Sequence, residues 1–304
     1  MRKVIIVAAV NGNRLDTPGC FIPVSPEEIA KDAKACRDAG AAVVHFHARD
    51  VKTRRSTAEV KVFSDTVQGI RSLCDVLIET TTGVGPKIDP NTGKPMTDPV
   101  TGQMMRPSDD DRLALLDIDP QQDLGSVAAG SLNMHNPVYA KPSVFSNTPY
   151  YINESIARLQ RKSNLAFQFE VFDLGFLTNV ARLIDTGILD PAKGKFWLNY
   201  ILGFGGLAPD ARSLCLASGE GMRMFPGKPW GTVVPAREHY TVSVAAAAMG
   251  ADVIRTGYED TALLPNGDTA PTNAEMVEKM VGLVRAVGRE IASPAEARAI
   301  YGLA

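Results

Sequence analysis

The sharpest chemical signal in the chain is His45-Phe46-His47. Residues two apart on a β-strand point to the same face with Cα atoms about 6 to 7 Å apart, so the two imidazoles converge on one point. Far along the chain, Arg255, Gly257 and Glu259 share a parity, and Asp260 follows at once. If a barrel closes so that this last run neighbours the first strand, and the first neighbours the run of His45, two strand spacings of about 10 Å bring Glu259 within reach of the same ion. A His2Glu set with an open coordination position suits Zn2+. An HxH on a strand is also found as a pair of hydrogen-bonded barrel histidines; the strand-end placement and Glu259 favour ligation. His135 in a loop and His239 at a helix start fit surface or capping roles instead.

The elements that must position these groups alternate regularly. Short β-rich runs at Val4–Val10, Val43–Arg49, Val76–Gly83, Leu124–Asn133, Leu165–Asp173, Phe196–Gly203, Trp230–Pro235 and Val253–Asp260 are separated by helical patterns. One of these, Pro26–Ala39, opens with Ser25 as N-cap and Glu28 at N3 and closes at Gly40. Another, Tyr240–Met249, ends at Gly250. Repeated βα units without an internal boundary predict an α/β protein, a (β/α)8 TIM barrel forming a single domain over 1–304, rather than an open doubly wound sheet. Its catalytic face then collects Asn11, His45, His47, the Thr80–Thr82 run, Ser131, Asn133, Glu170, Arg255, Glu259 and Asp260 at the strand ends. Glu170 and Gln168 alternate with Phe167 and Phe169, so the polar pair points inward. Glu79 reads as a structural hydrogen-bonder deeper in the barrel. Gly85–Asp111 breaks the rhythm, with five prolines and an Asp109-Asp110-Asp111 run. It is a long loop insertion that fits a lid, an oligomer contact or a surface loop, and the aspartates fit a solvated helix start better than a cation site.

Composition excludes several classes. The chain has 304 residues, with 32 Lys and Arg against 34 Asp and Glu, too even a balance for nucleic-acid binding. No run reaches the roughly 20 apolar residues of a membrane span. Cys20, Cys36, Cys74 and Cys215 are scattered without a CxxC pair, which fits a reducing cytoplasm and excludes a thiolate zinc site.

Several stretches together resemble the β-keto acid cleavage enzyme family, which includes 3-keto-5-aminohexanoate cleavage enzyme. They are Ala8-Ala9-Val10-Asn11-Gly12, Ser25-Pro26-Glu27-Glu28, Ala39-Gly40-Ala41 leading to His45-Phe46-His47-Ala48-Arg49, Leu202-Gly203 with Gly205-Gly206, and Gly257-Tyr258-Glu259-Asp260. The resemblance implies that His45, His47 and Glu259 bind Zn2+ and that Asp260 is the general base, oriented by Arg255. It implies that Thr81 acts where the family has serine, and that Ser131 and Asn133 bind substrate. Asn11, Arg14, Thr82, Gly83 and Glu170 complete the expected substrate-binding set. The implied reaction takes a β-keto acid and acetyl-CoA to acetoacetate and an acyl-CoA by Claisen and retro-Claisen steps, in a cytoplasmic homo-oligomer, dimer or tetramer. Val84 replaces a family glycine, the insertion is longer than expected, and Arg14 stands where the aminohexanoate enzymes carry glutamate. A metal-dependent aldolase or lyase acting without CoA is the alternative from the residues alone. A zinc amidohydrolase would need further histidines on middle strands, and none lies between His135 and His239.

Overall fold

The computed structural model describes residues 1–14, 16–134 and 143–303. Eight parallel strands close into a barrel: β1 (Ile5–Ala9), β2 (Val43–Phe46), β3 (Leu77–Thr80), β4 (Leu124–Ala128), β7 (Ala166–Val171), β8 (Phe196–Ile201), β9 (Trp230–Val233) and β10 (Val253–Thr256). A small antiparallel hairpin, β5 (Leu132–Met134) with β6 (Ser143–Phe145), interrupts the series after β4. The helices are α1 (Pro26–Asp38), α2 (Val60–Leu73), α3 (Asp109–Ala114), α4 (Pro149–Leu159), α5 (Leu174–Asp185), α6 (Ala211–Met224), α7 (His239–Ala248), α8 (Asn273–Ala286) and α9 (Pro294–Tyr301). The expected (β/α)8 barrel is the observed fold. No helix among the described residues is long and apolar enough to cross a membrane.

Strand parity explains how one sequence builds both a core and a site. Outward residues such as Ile6, Ala8, Val44, Phe46, Ile78, Phe167 and Phe169 form the layer between sheet and helices. Inward residues change character from the bottom of the barrel to the top. Ile5, Val7, Val43, Leu77, Leu124, Ala166, Trp197 and Val253 make an apolar floor, closed by Ala297, Tyr301 and Leu303 at the C-terminus. The Tyr301 ring lies 4.4 Å from that of Trp197, centroid to centroid. Two residues further along the same strands stand His45, Glu79, Ser126, Gln168, Asn199 and Arg255, all buried. Period-two alternation thus seals one end and places polar groups at the other, the C-terminal end where barrel sites lie.

Most strands end earlier than the sequence pattern: β2 stops at Phe46, before His47, and β3 at Thr80, before Thr81, Thr82 and Gly83. The run Leu124–Asn133 is not one strand: it leaves the barrel after Ala128, because Asn147 bonds the carbonyl of Gly130 and the hydroxyl of Ser131 and draws the backbone into the hairpin. The last barrel strand stops at Thr256, so Glu259 and Asp260 sit on a turn beyond it. Segment 85–108 has no helix; it makes two bridged turns, Ile88 with Pro95 and Thr97 with Met104. The aspartates at 109–111 begin α3, where Ser108 and Asp111 form a capping box. The Ser25–Glu28 capping box on α1 is present as the sequence predicts.

Candidate active site

Barrel closure brings the three candidate ligands together. β1 pairs with β10 on one side, Val7 opposite Arg255, and with β2 on the other, Ala9 opposite His45. His45 Nε2 lies 3.3 Å from Glu259 Oε2, and His47 Nε2 lies 3.4 Å from Glu259 Oε1. One ligand atom from each of the three residues falls within 4.8 Å of the others.

Glu259 reaches this point through a turn that only glycine permits. Gly257 has φ +137, and a Cβ there would stand 2.3 Å from the carbonyl oxygen of Ala9. The Glu259 N–H then donates to that same carbonyl at 3.1 Å. On the other side Gly12, with φ +52, lies under the Glu259 side chain, whose Cγ would be 2.3 Å from any added Cβ. Asn273 backs the turn: its Oδ1 accepts from Tyr258 N at 2.8 Å, while its Nδ2 donates to Val10 O and Asp32.

The electrostatics fit a cation between the three residues. Burial opposes a proton on His45, but Glu259 and Glu79 on its two sides outweigh that and push its pKa up to about 10. A divalent ion would satisfy the same demand for positive charge. His45 Nδ1 is 2.8 Å from Glu79 Oε1, which keeps a proton on that nitrogen and leaves Nε2, facing Glu259, as the position where an ion would replace the second proton. His47 is held down chiefly by burial and favours the neutral form that ligates metal. Burial alone would raise Glu259, but Arg255 and the two imidazoles hold it well below the usual carboxylate range. Its Oε2 is buried without a hydrogen-bond donor among the described residues. The donor chemistry and this orphaned oxygen both fit a bound metal.

Arg255 joins this cluster to Asp260. Its Nε donates to Asp260 Oδ2 at 2.9 Å and its Nη2 to Asp260 Oδ1, while the same Nη2 lies 3.3 Å from Glu259 Oε1. Burial works against the charge on Arg255, yet Asp260 and Glu259 raise its pKa further above the ordinary range. Behind His45 a buried relay runs across the barrel: Asn199 Nδ2 donates to Gln168 Oε1 at 2.5 Å, and Gln168 Nε2 to Glu79 Oε1 at 2.8 Å.

The sequence-predicted residues divide into two groups. His45, His47, Thr81, Gly83, Glu170, Arg255, Glu259, Asp260 and Arg14 line one cavity of about 510 Å³. Thr81 Oγ1 accepts from Gly83 N at 2.8 Å, which leaves its own O–H to donate. Glu170 is pushed up to about 7 by burial, partly offset by Arg255 and His45. Asn11, Thr82, Ser131 and Asn133 do not line the cavity. Asn11 is fully buried, its amide bonded to Pro23 O and to both the N–H and the carbonyl of His47, so it holds the backbone of His47 in place. Thr82 points its carbonyl at Arg112. Ser131 is bonded through its hydroxyl to the backbone of Asn147, and Asn133 is exposed on the hairpin. His239 is buried rather than at the surface, between Val234 O and Thr256 Oγ1 at 3.0 Å each; His135 lies outside the described residues.

Other lining residues carry no readable signal in the sequence. Arg106 comes from the long segment after β3, and Met134 and Phe145 from the hairpin. Arg49 was legible only as part of a motif: its guanidinium gathers the carbonyls of Asn11, Gly12, Arg14 and Arg54, which shapes the loop after β1.

A family model described as beta-keto acid cleavage enzyme matches residues 3–303. The chain is 27% identical to a 3-keto-5-aminohexanoate cleavage enzyme of Fusobacterium nucleatum subsp. nucleatum, over 100% of this chain and 99% of that one. It is 27% identical to a 3,5-dioxohexanoate:acetyl-CoA acetone transferase of Paraburkholderia graminis, over 99% and 96% of the two chains. Among solved structures it resembles the binary complex of ObcA with oxaloacetate, with a TM-score of 0.71 at 17% identity over 93% of this chain and 67% of that one, a likeness of fold.

The Glu79–His45 bond makes a direct prediction. Glu79→Leu removes the acceptor that sets the His45 tautomer, and divalent-ion affinity is expected to fall about tenfold to a hundredfold. Competition against a chromophoric chelator measures it; unchanged affinity would show that Glu79 does not support a ligand.

Proposed function

This chain belongs to the β-keto acid cleavage enzyme family, and from that premise we propose that it converts a β-keto acid and acetyl-CoA into acetoacetate and an acyl-CoA. The observation that carries the reading is the meeting of His45, His47 and Glu259 with the Asp260–Arg255 pair at one cavity. The name of the Paraburkholderia graminis relative includes acetyl-CoA, which weighs against a lyase acting without it.

His45, His47 and Glu259 would hold a divalent ion, and their nitrogen and oxygen donors with an open position suit Zn2+. When bound, such an ion would supply Lewis acidity that acidifies the substrate C–H between the keto and carboxylate groups. Asp260 takes that proton, oriented by its paired bonds to Arg255. The carbon nucleophile forms a bond to the acetyl carbonyl carbon, and the thioester C–S bond breaks to release CoA thiolate. The thiolate adds to the far keto carbon, the original C–C bond breaks, and the proton on Asp260 returns to the departing acetoacetate. The Thr81 hydroxyl donates to the oxyanions that develop in these steps. Glu170, with a pKa of about 7, is a wall residue able to donate or accept a hydrogen bond near neutral pH.

The charge lining the mouth bears on the substrate. Arg14 fixes its Nε on Tyr258 O and lines the cavity together with Arg106. An ammonium about 5 Å from a guanidinium at an effective dielectric near 20 would cost about 3 kcal/mol, over a hundredfold in affinity. We therefore assign a neutral or anionic β-keto acid as substrate. The single closed barrel supports a one-domain reading. Four unpaired cysteines support a cytoplasmic setting, and a homo-oligomer, dimer or tetramer, belongs to the same proposal.

Two measurements test the reading. Assayed with acetyl-CoA, β-ketohexanoate or β-ketoadipate should exceed 3-keto-5-aminohexanoate in kcat/KM; a clear preference for the amino substrate refutes the charge assignment, and no acyl-CoA from any acid refutes the reaction. Asp260→Asn should abolish turnover while bound metal is retained, because the Glu259 ligand remains. Near-normal activity would remove Asp260 as the base, and loss of metal would make it a ligand instead.

A further inference from the structure

Beside the catalytic cavity runs a narrow cleft that shares Asn13, Arg14 and Gly85 with it. Its charge is one-sided. Arg14, Arg49, Arg54 and Arg55 line it, and among the described residues no acidic one does. The far wall is backbone and apolar surface from the segment after β3, including Pro86, Ile88 and Pro95.

The four arginines are not equivalent. Arg49 is buried and gives its two terminal nitrogens to loop carbonyls, among them Arg14 O at 2.7 Å and Gly12 O at 2.8 Å. Its Nε is buried without a partner among the described residues. Arg54 is held by Asp16 from outside the cleft, with contacts of 2.8 to 3.2 Å. Arg14 commits Nε to Tyr258 O. Arg55 is half-buried, and no hydrogen bond or ion pair of its guanidinium is found among the described residues. Arg14 is shared with the catalytic cavity and faces Glu259 and Asp260 there, so Arg55 is the arginine left to present donors into the cleft, with Asp16 beside it as the nearby acid. A planar guanidinium fork is matched best by a phosphate or carboxylate.

We infer that this arginine cleft is the binding site for a phosphate group of the coenzyme A thioester, with Arg55 as its principal donor. The inference rests on the proposed use of acetyl-CoA. A CoA thioester that places its acetyl group at Asp260 must leave the cavity by its mouth, and Asn13, Arg14 and Gly85 make the cleft continuous with that mouth. The loop after β2 and the segment after β3 then act together, one supplying charge and the other the wall that shields it from water. Shielding strengthens a phosphate–arginine pair that would be weak at an open surface.

The test compares thioesters with and without phosphates on the Arg55→Ala variant. KM for acetyl-CoA should rise about tenfold, the low end for a charge-assisted hydrogen bond, at unchanged kcat. KM for S-acetylpantetheine, which lacks the phosphates, and for the β-keto acid should stay put. Acetyl-3′-dephospho-CoA separates the sources: insensitivity to the substitution identifies the 3′-phosphate, and retained sensitivity the diphosphate. An unchanged KM for acetyl-CoA, equal rises for both thioesters, or a rise confined to the keto acid overturns the inference. Calorimetric titration with CoA alone separates this site from the proposed reaction. Weaker CoA binding by the variant supports the cleft even if no acid is turned over, and no binding by the wild-type chain overturns it. Arg55→Gln repeats the comparison should Arg55→Ala fail to fold.

Discussion

The Glu259 carboxylate, largely buried at the cavity wall between two imidazoles and a guanidinium, is the constraint on which the rest of the site depends. An ionised carboxylate in such a place is costly unless its partners are fixed around it. Here they are fixed around three neighbouring strands: Arg255 on β10, His45 on β2 and His47 just past its end, across β1. Because Arg255 also binds Asp260, the candidate base cannot move without disturbing the candidate ligands. One cluster of opposite charges thereby sets the distance between the point where a substrate would bind and the group that would take its proton.

That cluster is held by two rings of hydrogen-bonded support. Inside the barrel, Asn199, Gln168 and Glu79 pass orientation to the Nδ1 side of His45 through hydrogen bonds of 2.5 to 2.8 Å. At the rim, Asn11 holds both backbone groups of His47, and Asn273 ties the turn before Glu259 to the end of β1. Such support reduces the reorganisation needed when a substrate binds. The apolar floor capped by Tyr301 lies opposite, so stability and chemistry occupy different ends of the same strands.

The barrel and its charged centre were legible because they follow from period-two alternation and from strand order. His45 and His47 share a face by spacing alone, and the closing strand carries Arg255 on the inward parity. Asn11 and Thr82 read as substrate contacts because they are polar residues at strand ends, and Ser131 with Asn133 through the family resemblance; neither criterion can tell an inward side chain from one bonded to a loop. For Asn11 the difference is made by Pro23 and His47, whose backbone groups use up its amide. Arg106 and Arg55 stayed invisible as site residues because their places depend on the paths of irregular loops, which no periodicity encodes.

The central claim is that His45, His47 and Glu259 form a metal centre. Elemental analysis of the purified protein, beside the His45→Ala/His47→Ala double variant, addresses it without reference to any substrate. The account predicts one divalent ion per wild-type chain, Zn2+ by its donor set, and almost none in a folded double variant. Metal content that is unchanged by the two substitutions would contradict it.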